Sequence, residues 1–300
     1  MNHISFRTYE GDRTGTGDYE KVHGFLVRTG RTDYTYARFD WMLTNWEYLE
    51  DEYLQRIGIW EKEGEIVGVT LFDHSLDVIF PIVLQGYEEL YGEMIGYARD
   101  HMVKEKDPEF LIYSDDGDVL LKKELQRQGF IATEEKNMTA VYDLSGTVPE
   151  RTLPEGYRIT TLSEEEDHKK LLFCLFKGFG HEEAGETFCC DKNREEEMKI
   201  AYGKPHVNLA LRVSVKDRNG NYAAHCGMWY DQRSRLALVE PVCVIPEERR
   251  RGLGREAVYE GLRRVKALGA EIAVVGSSQQ FYYTLGFTPS LTGTVWKPGK

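Results

Sequence analysis

Residues 244–255 read VIPEERRRGLGR and join two segments of different character. The preceding run, LALVEPVCVI at 236–245, is apolar except for one carboxylate and one proline, which is typical of a buried strand. The residues from about 254 to 268 predict a helix that Gly269 stops. Glycines let the backbone approach a ligand, and the first helical turn presents unpaired N–H groups with a positive dipole end. The segment is therefore predicted to hold a phosphate or pyrophosphate, with four arginines adding positive charge.

Two motifs together resemble the signature of the GNAT superfamily of N-acetyltransferases. One is an apolar strand with V-x-P and then [Q/R]-x-x-G-x-[G/A] opening a helix, matched by residues 244–246 and 249–254. The other is F-Y-x-x-L-G-F, matched by FYYTLGF at 281–287. The resemblance implies that acetyl-CoA binds as acyl donor, with its pyrophosphate on the backbone N–H groups from about Arg250 to Arg255. The implied donor-binding residues are Val242, Cys243, Val244, Arg249, Arg250, Arg251, Gly252, Leu253, Gly254, Arg255 and Ser278.

The second motif also implies a catalytic residue. In the family the tyrosine of this motif sits near the leaving sulfur as a general acid, and the matching residue is Tyr282. Attack by an amine on a thioester expels a thiolate, and a nearby donor hydroxyl lowers the barrier by protonating it. A purely structural aromatic role for Tyr282 and a catalytic role for Tyr283 are the alternatives. The Asn and Ala often found upstream are replaced here by Val275 and Ser278, which bears on side-chain contacts to the cofactor arm.

A carboxylate inside the apolar strand is the candidate base. The resemblance implies that residues 242–244 offer backbone groups to the thioester, and Pro241, which cannot donate to a ladder, indicates an edge or bulge. Glu240 is spaced by two from Val242, which predicts that they share a face. A buried carboxylate is costly unless it is paired or useful. Glu240 is therefore either the base or ammonium anchor for the acceptor, or the partner of an arginine such as Arg235.

The chain divides near its midpoint. Prolines and glycines at 145–156 (SGTVPERTLPEG) interrupt periodic sequence, so we expect a GNAT-like domain at 1–145 and a GNAT acetyltransferase domain at 155–300. Each is expected to be α/β, with a mixed sheet flanked by helices. Gln128-Gly129-Phe130 corresponds to Leu285-Gly286-Phe287, which favours an ancestral duplication.

The first half lacks the donor motif. The loop equivalent to the arginine-rich segment, QGYEELYG at 85–92, contains no arginine, and Leu125 stands where Tyr282 would. We therefore expect the first domain to carry no cofactor. Its aromatic residues at 34–60 are assigned to its core, with a wall of the acceptor cleft as the alternative.

Within the second half, three further segments are assigned. Ser163 with Glu166 forms a capping box for a helix through Phe176, and residues 207–216 and 222–230 predict a hairpin. The run Glu195–Glu197 is assigned to a solvated helix face. Candidates for contact with the acceptor, on composition alone, are Phe179, His181, Trp229 and Tyr230.

Composition limits the partners. A formal net charge of -12 opposes binding to nucleic acid, whose affinity depends on neutralising phosphates. Five cysteines form no C-x-x-C pair and predict neither a disulfide framework nor a metal site. No apolar stretch is long enough to cross a bilayer and no signal sequence is evident, so the expected location is the cytoplasm.

The sequence thus predicts an N-acetyltransferase that transfers acetyl from acetyl-CoA to a primary amine of a small molecule or peptide by direct attack. The acceptor is not identified, and the oligomeric state is left open. A noncatalytic acyl-CoA sensor or interaction protein is the alternative from another class. Transfer of a longer acyl or an aminoacyl group is the alternative within enzymes.

Overall fold

The structure is a computed structural model that describes residues 3–44, 51–73, 76, 78–103, 110–150 and 152–299. Trp46 and Tyr48, which the sequence assigned to the aromatic core, lie outside these ranges. No helix in the described part of the chain is long and apolar enough to cross a membrane.

The first half of the chain alternates strands and helices. Its strands are β1 (Ile4–Thr8), β2 (Gly58–Lys62), β3 (Glu65–Phe72), β4 (Val78–Val83), β5 (Leu111–Asp115) and β6 (Phe130–Asp143). Its helices are α1 (Tyr19–Thr29), α2 (Tyr36–Thr44), α3 (Asp51–Leu54), α4 (Tyr91–His101) and α5 (Val119–Arg127).

The second half repeats the series of strands, helix, strand, helix and strand. Its strands are β7 (Arg158–Thr161), β8 (Arg212–Lys216), β9 (Tyr222–Asp231), β10 (Leu236–Val244), β11 (Ile272–Val275) and β12 (Thr288–Pro298). Its helices are α6 (His168–Gly178), α7 (Lys192–Tyr202), α8 (Leu253–Ala267) and α9 (Gln280–Thr284). The order β8-β9-β10-α8-β11-α9-β12 matches β2-β3-β4-α4-β5-α5-β6.

The chain forms two compact units that do not follow chain order at the C-terminus. The first unit contains Met1–Ala140, Gly276–Ser278 and Pro289–Lys300, and the second contains Val141–Val275 and Gln279–Thr288. Most of β12 therefore belongs to the first unit, although the sequence pattern groups it with the second half.

The sheet of the first unit has the order β1-β2-β3-β4-β5-β12-β6. The pairs from β1 to β4 are antiparallel, and β4 runs parallel to β5. β12 lies antiparallel to β5, with Trp296 opposite Ile112. Fully buried aromatic residues, among them Phe25, Phe39 and Trp60, fill the core.

The sheet of the second unit has the order β11-β10-β9-β8-β7, in which only β10 and β11 are parallel. α8 covers one face, where Gly261 approaches Met228 of β9. α6 covers the other face, where Cys174 meets Cys243 of β10. The positions of β9, β10, α8 and β11 confirm the predicted strand-loop-helix-strand order around residues 244–255.

Two predicted boundaries are wrong. α6 begins at His168 because Asp167 accepts the Lys170 N–H at 2.9 Å, whereas the Ser163 hydroxyl bonds Thr161 Oγ1 at 2.9 Å. Residues 209–211 form a 3-10 turn, and the predicted strand begins only at Arg212. In both places a local side-chain cap replaced the expected periodic element.

Candidate functional site

The loop after β10 carries a run of free backbone donors. Arg250 has φ 64° and Gly252 has φ 80°, so both adopt the left-handed backbone conformation, with Arg251 at negative φ between them. The first N–H bonded at the helix start is that of Glu256, which donates to Gly252 O at 3.1 Å. The N–H groups of residues 250–255 donate to no acceptor within the described part of the chain. Successive N–H groups in this geometry form an anion-binding concavity at the positive end of the helix dipole.

The side chains of two loop arginines have different surroundings. Arg249 donates from Nε to Val244 O at 3.3 Å and from Nη2 to Gly178 O at 3.2 Å, so it ties the loop to β10 and to the end of α6. Arg250 is exposed and makes no ion pair or hydrogen bond with the residues that the structure describes. Arg250 therefore keeps its charge available for a ligand, whereas Arg249 holds the loop in place.

The other two arginines are also anchored within the second unit. Arg251 donates to Tyr157 Oη at 3.0 Å, and Arg255 donates to Thr152 Oγ1 and to Glu256 at 2.9 Å each. Glu256 is 1% exposed. Burial alone would raise its pKa, but hydrogen bonds from Thr152 and Arg255 hold the pKa below its ordinary value. Glu256 is thus a buried carboxylate beneath the loop that neutralises Arg255.

β10 separates from its neighbour before reaching the loop. It pairs with β11 only from Leu236 to Leu238, opposite Ile272 to Val274, and continues to Val244. On its other edge the register with β9 shifts between Val239 and Val242, and the predicted irregularity at Pro241 is confirmed. Val242 and Val244 are half-buried and Cys243 is buried. The segment predicted to hold the thioester is therefore the part of β10 that extends beyond its pairing with β11.

The bulge overturns the argument that placed Glu240 on the face of Val242. Val239 lies opposite Met228, and Val242 lies opposite Cys226. Between these two pairs β10 contains one more residue than β9, so the alternation of side chains between the two faces is lost across Glu240 and Pro241. The backbone oxygen of Glu240 lies close to Gly227, and a Cβ atom added to Gly227 would be 2.4 Å from this oxygen. A residue with a side chain at position 227 would displace the bulge.

A buried tryptophan and arginine hold this bulge. Trp229 is 2% exposed and donates from Nε1 to Glu240 O at 2.9 Å. Arg212, which is fully buried, places its guanidinium 3.7 Å from the centre of the Trp229 ring. Cation–π contacts of desolvated arginines are among the stronger ones. Trp229 was expected to contact the acceptor, and its contacts give it a supporting role behind β10.

Glu240 itself is half-buried. Arg235, the arginine considered as its partner, forms its ion pair with Glu271, at 2.5 Å between Nη1 and Oε1. The carboxylate of Glu240 lies close enough to Tyr282 to raise the pKa of that hydroxyl. The structure thus brings Glu240 and Tyr282 into one electrostatic neighbourhood.

Tyr282 is 7% exposed and packs edge-on against Phe281 and Phe287, with ring centroids 5.1 and 5.6 Å apart. Burial first, and then the neighbouring Cys226, Glu240 and Cys243, raise its pKa well above the ordinary value. The hydroxyl therefore stays protonated at neutral pH and is able to act as a donor.

The start of α8 meets both β10 and α9. A Cβ placed on Gly254 would lie 2.9 Å from Val244 Cγ2 and 3.5 Å from Phe281 Cζ. The loop, the unpaired end of β10 and the segment that carries Tyr282 therefore converge within the second unit. Ser278, in contrast, is exposed and groups with residues 276–278 of the first unit, so its contact with a donor stays a prediction.

A row of buried polar residues crosses β10, β9 and β8 on the sheet face that α6 covers, and the sequence did not predict it. His225 lies opposite both Ser214 and Cys243 and bonds Ser214 Oγ through Nδ1 at 3.0 Å. Cys243 Sγ lies 3.8 Å from Cys174 Sγ, and both are free thiols. The contact with Cys243 and burial raise the pKa of Cys174. Strand pairing alone creates this row, and the separations along the chain give no sign of it.

His225 predicts a pH-dependent stability. Burial, and secondarily Arg212, lower its pKa from 6.5 to about 3. Between these values the unfolded chain binds the proton and the folded chain does not, so stability falls as the pH falls below 6.5. From pH 6 to 4.5 we expect His225 to account for a loss of about 2 kcal/mol in the free energy of unfolding.

Urea unfolding at several pH values checks this expectation. A His225→Gln variant, whose amide is able to retain the bond to Ser214, should lose the extra slope between pH 6 and 4.5 even where it is less stable throughout. Equal slopes for the two proteins would show that His225 does not control acid stability.

These features are accompanied by a family match. Residues 179–287 match the model described as acetyltransferase (GNAT) family. Residues 179–287 therefore form a domain of the GNAT acetyltransferase family. The match to this family supports acyl transfer in general as the activity. No curated protein sequence gave a significant match.

Solved GNAT structures share the fold over nearly the whole chain. A GCN5-related N-acetyltransferase from Sphaerobacter thermophilus is 13% identical, with a TM-score of 0.58 and coverage of 99% of this chain and 97% of that one. A tandem GNAT protein from the clavulanic acid biosynthesis pathway is 14% identical, with a TM-score of 0.58 and coverage of 98% of both. A GNAT acetyltransferase from Colwellia psychrerythraea is 10% identical, with a TM-score of 0.57 and coverage of 99% and 100%. The chain therefore consists of two GNAT-like domains.

The loop of the first GNAT-like domain differs in chemistry from that of the second. The N–H of Gly86 donates to the carboxylate of Glu88, at 3.0 Å to each oxygen. The Gly86 N–H is therefore already bonded to a carboxylate of the chain itself. Leu125 is fully buried at the position that corresponds to Tyr282.

The remaining acceptor candidates of the GNAT domain lie around the end of α6. Phe179 follows Gly178, whose Cβ would lie 2.7 Å from Cys243 Sγ, and its side chain is 55% exposed. His181 stacks on Phe176 and bonds Glu186 at 3.0 Å. Tyr230 donates to Leu268 O at 3.2 Å. Of these, Phe179 is the side chain that combines exposure with a place beside the unpaired end of β10.

Proposed function

We propose that the second unit transfers acetyl from acetyl-CoA to a primary amine of a small molecule or peptide by direct attack. The observation that carries the proposal is the run of unbonded N–H groups at residues 250–255, formed around the left-handed Arg250 and Gly252. This arrangement fits a pyrophosphate, which offers several anionic oxygens to converging donors. The match of residues 179–287 to the GNAT family supports an acyl-CoA as the ligand that carries it.

The donor would extend from this loop along β10. Arg250 supplies a free guanidinium to the phosphates, and the backbone of Val242, Cys243 and Val244 is available to the pantetheine arm and the thioester carbonyl. The bound acetyl-CoA supplies an activated acyl carbon and a thiolate leaving group. Trp229 and Arg212 act as positioning residues, because their contacts fix the bulge from which Val242 emerges.

The chemistry requires one proton acceptor and one proton donor. The neutral amine attacks the thioester carbon, the C–N bond forms, and the C–S bond breaks as the carbonyl is restored. Tyr282 donates a proton to the departing sulfur, for which its protonated state at neutral pH is suited. Glu240 accepts the proton that the amine loses, or anchors the ammonium form of the acceptor before that step.

An acceptor screen tests the proposal. The full chain is incubated with acetyl-CoA and a panel of polyamines, aminoglycosides, amino acids and peptides, while free thiol is measured and the product is weighed by mass spectrometry. We expect release of CoA with one acetyl added to an amine. Tight acyl-CoA binding with no turnover on any amine would favour a sensor, and turnover only with longer acyl-CoA would correct the donor.

Arg250→Ala should weaken acetyl-CoA binding about tenfold, because one charge-assisted contact to phosphate is lost. The dissociation constant by isothermal titration checks this. Arg158→Ala is the matched control, since Arg158 is also exposed and makes no ion pair with the described residues. Equal affinities for the two variants would remove Arg250 from the donor site.

A further inference from the structure

The first unit contains a groove that the proposed acetyl transfer does not use. Its volume is about 610 Å³, which is within the range of small-molecule sites. Residues of α5, β6 and β12, with one from the turn before α5, form its walls. They are Asp116, Val119, Lys122, Lys123, Gln126, Lys136, Thr294 and Trp296.

Secondary-structure periodicity builds these walls. One stripe of α5 contributes four of these residues, because Lys122, Lys123 and Gln126 follow Val119 by three, four and seven positions. Thr294 and Trp296 are two apart on β12 and therefore share a face of the strand. The groove thus lies between a polar helix stripe and one face of a strand.

Cations dominate the lining. Lys122 donates from Nζ to the backbone oxygen of Asp116, and Lys136 lies 3.3 Å from the carboxylate of Asp116. Lys123 is exposed and has no ion pair or hydrogen bond within the described residues. The lining therefore carries three ammonium groups against one carboxylate, in a chain whose formal charge is -12.

The other acids near this turn are engaged elsewhere. Asp115 accepts the Gly117 N–H at 2.7 Å, and Asp118 caps α5 by accepting the Leu121 N–H at 2.9 Å. Asp118 also accepts the hydroxyl of Tyr91 at 2.6 Å. Neither Asp115 nor Asp118 lines the groove itself.

An unsatisfied donor lies in the same wall. Trp296 is 5% exposed, and its Nε1 has no hydrogen-bond partner among the described residues. A buried indole N–H ordinarily finds an acceptor, because leaving it unpaired costs about 1–3 kcal/mol. The nitrogen is shielded from solvent, so an oxyanion bound in the groove would supply that acceptor after a shift of the neighbouring side chains, and it would meet the ammonium groups of the lysines.

We propose that this groove binds a small organic oxyanion, a carboxylate or a phosphate monoester that carries an apolar group. The oxyanion accepts from Trp296 Nε1 and from Lys123, and the apolar group lies against Val119 and the indole ring. The site belongs to the first unit and does not depend on the acyl-transfer chemistry of the second.

Nuclear magnetic resonance of the indole N–H groups tests the proposal on the ¹⁵N-labelled full chain. The Trp296 signal is assigned by its loss in Trp296→Phe. Phenyl phosphate, benzoate and the neutral benzyl alcohol are then titrated. We expect the Trp296 signal to shift in a saturable way with an anion and not with the alcohol. A shift with phenyl phosphate alone identifies a phosphate site, and a shift with benzoate alone identifies a carboxylate site.

Calorimetry with the anion that binds locates the site. Lys123→Ala should weaken binding about tenfold, because a hydrogen bond to a charged group is lost. Lys297→Ala is the control, since Lys297 is exposed and follows Trp296 on β12, on the alternate face. The proposal is overturned if neither anion shifts Trp296, if benzyl alcohol binds as well as the anions, or if the two lysine variants bind equally.

Discussion

Gly252→Val is expected to reduce acetyl-CoA affinity by about 100-fold or more. Gly252 has φ 80°, and a β-branched residue is rarely found in this conformation. Valine would move the backbone toward ordinary φ values and turn the N–H groups of residues 250–254 away from a common point. Each charge-assisted hydrogen bond lost costs about 1.5–3 kcal/mol, so the loss of two suffices for this effect.

Gly220→Val provides a matched control for this change. Gly220 has φ 82° in the turn between β8 and β9 of the same unit, so valine imposes the same backbone strain away from the loop. Both variants should lose similar thermal stability, and only Gly252→Val should lose binding by isothermal titration. Binding that survives in Gly252→Val, or that is lost equally in Gly220→Val, would contradict the role of the loop.

Tyr282→Phe is expected to lower kcat about 100-fold or more while the affinity for acetyl-CoA changes less than twofold. The phenyl ring retains the packing against Phe281 and Phe287, so only the proton donor is removed. General acid catalysis commonly contributes 10²–10⁴-fold. Rates are measured by CoA release with an amine identified in the acceptor screen, and affinity by calorimetry.

The neighbouring Tyr283→Phe is the control, since Tyr283 is the other hydroxyl in the motif and is half-buried. It should leave kcat unchanged. Because burial raises the pKa of Tyr282, the wild-type rate should show no alkaline decline from this group near pH 10 or below. An unchanged rate in Tyr282→Phe, or a larger loss in Tyr283→Phe, would move the assignment away from Tyr282.

Local sequence was sufficient for the features that depend on short-range rules. The sequence from about Gly254 onward predicts a helix, and α8 begins one residue earlier, at Leu253. The apolar runs of β9, β10 and β11 were also readable, because burial on a sheet leaves few polar positions. The family signature lies within the same short segments, which is why it was visible in one sequence.

Side-chain roles in the site were less accessible. Four arginines look equivalent along the chain, yet Arg249 is tied to Val244 and Gly178 and Arg250 is left for a ligand. Trp229 was expected near the acceptor, although its indole supports the bulge at Glu240. These differences depend on which backbone oxygens lie within reach after folding, and composition does not encode them.

The sequence by itself therefore determined the GNAT resemblance, the loop and the order of elements around it, because these follow from periodicity, glycine conformation and helix termini. Only the tertiary structure decided that β12 pairs with β5 of the first unit, that the bulge shifts the register at Glu240, and that Lys123 and Trp296 share a groove. Each of these joins residues far apart in the chain. Such contacts are selected by the total burial and hydrogen bonding of the folded state, and no single segment of the sequence determines these totals.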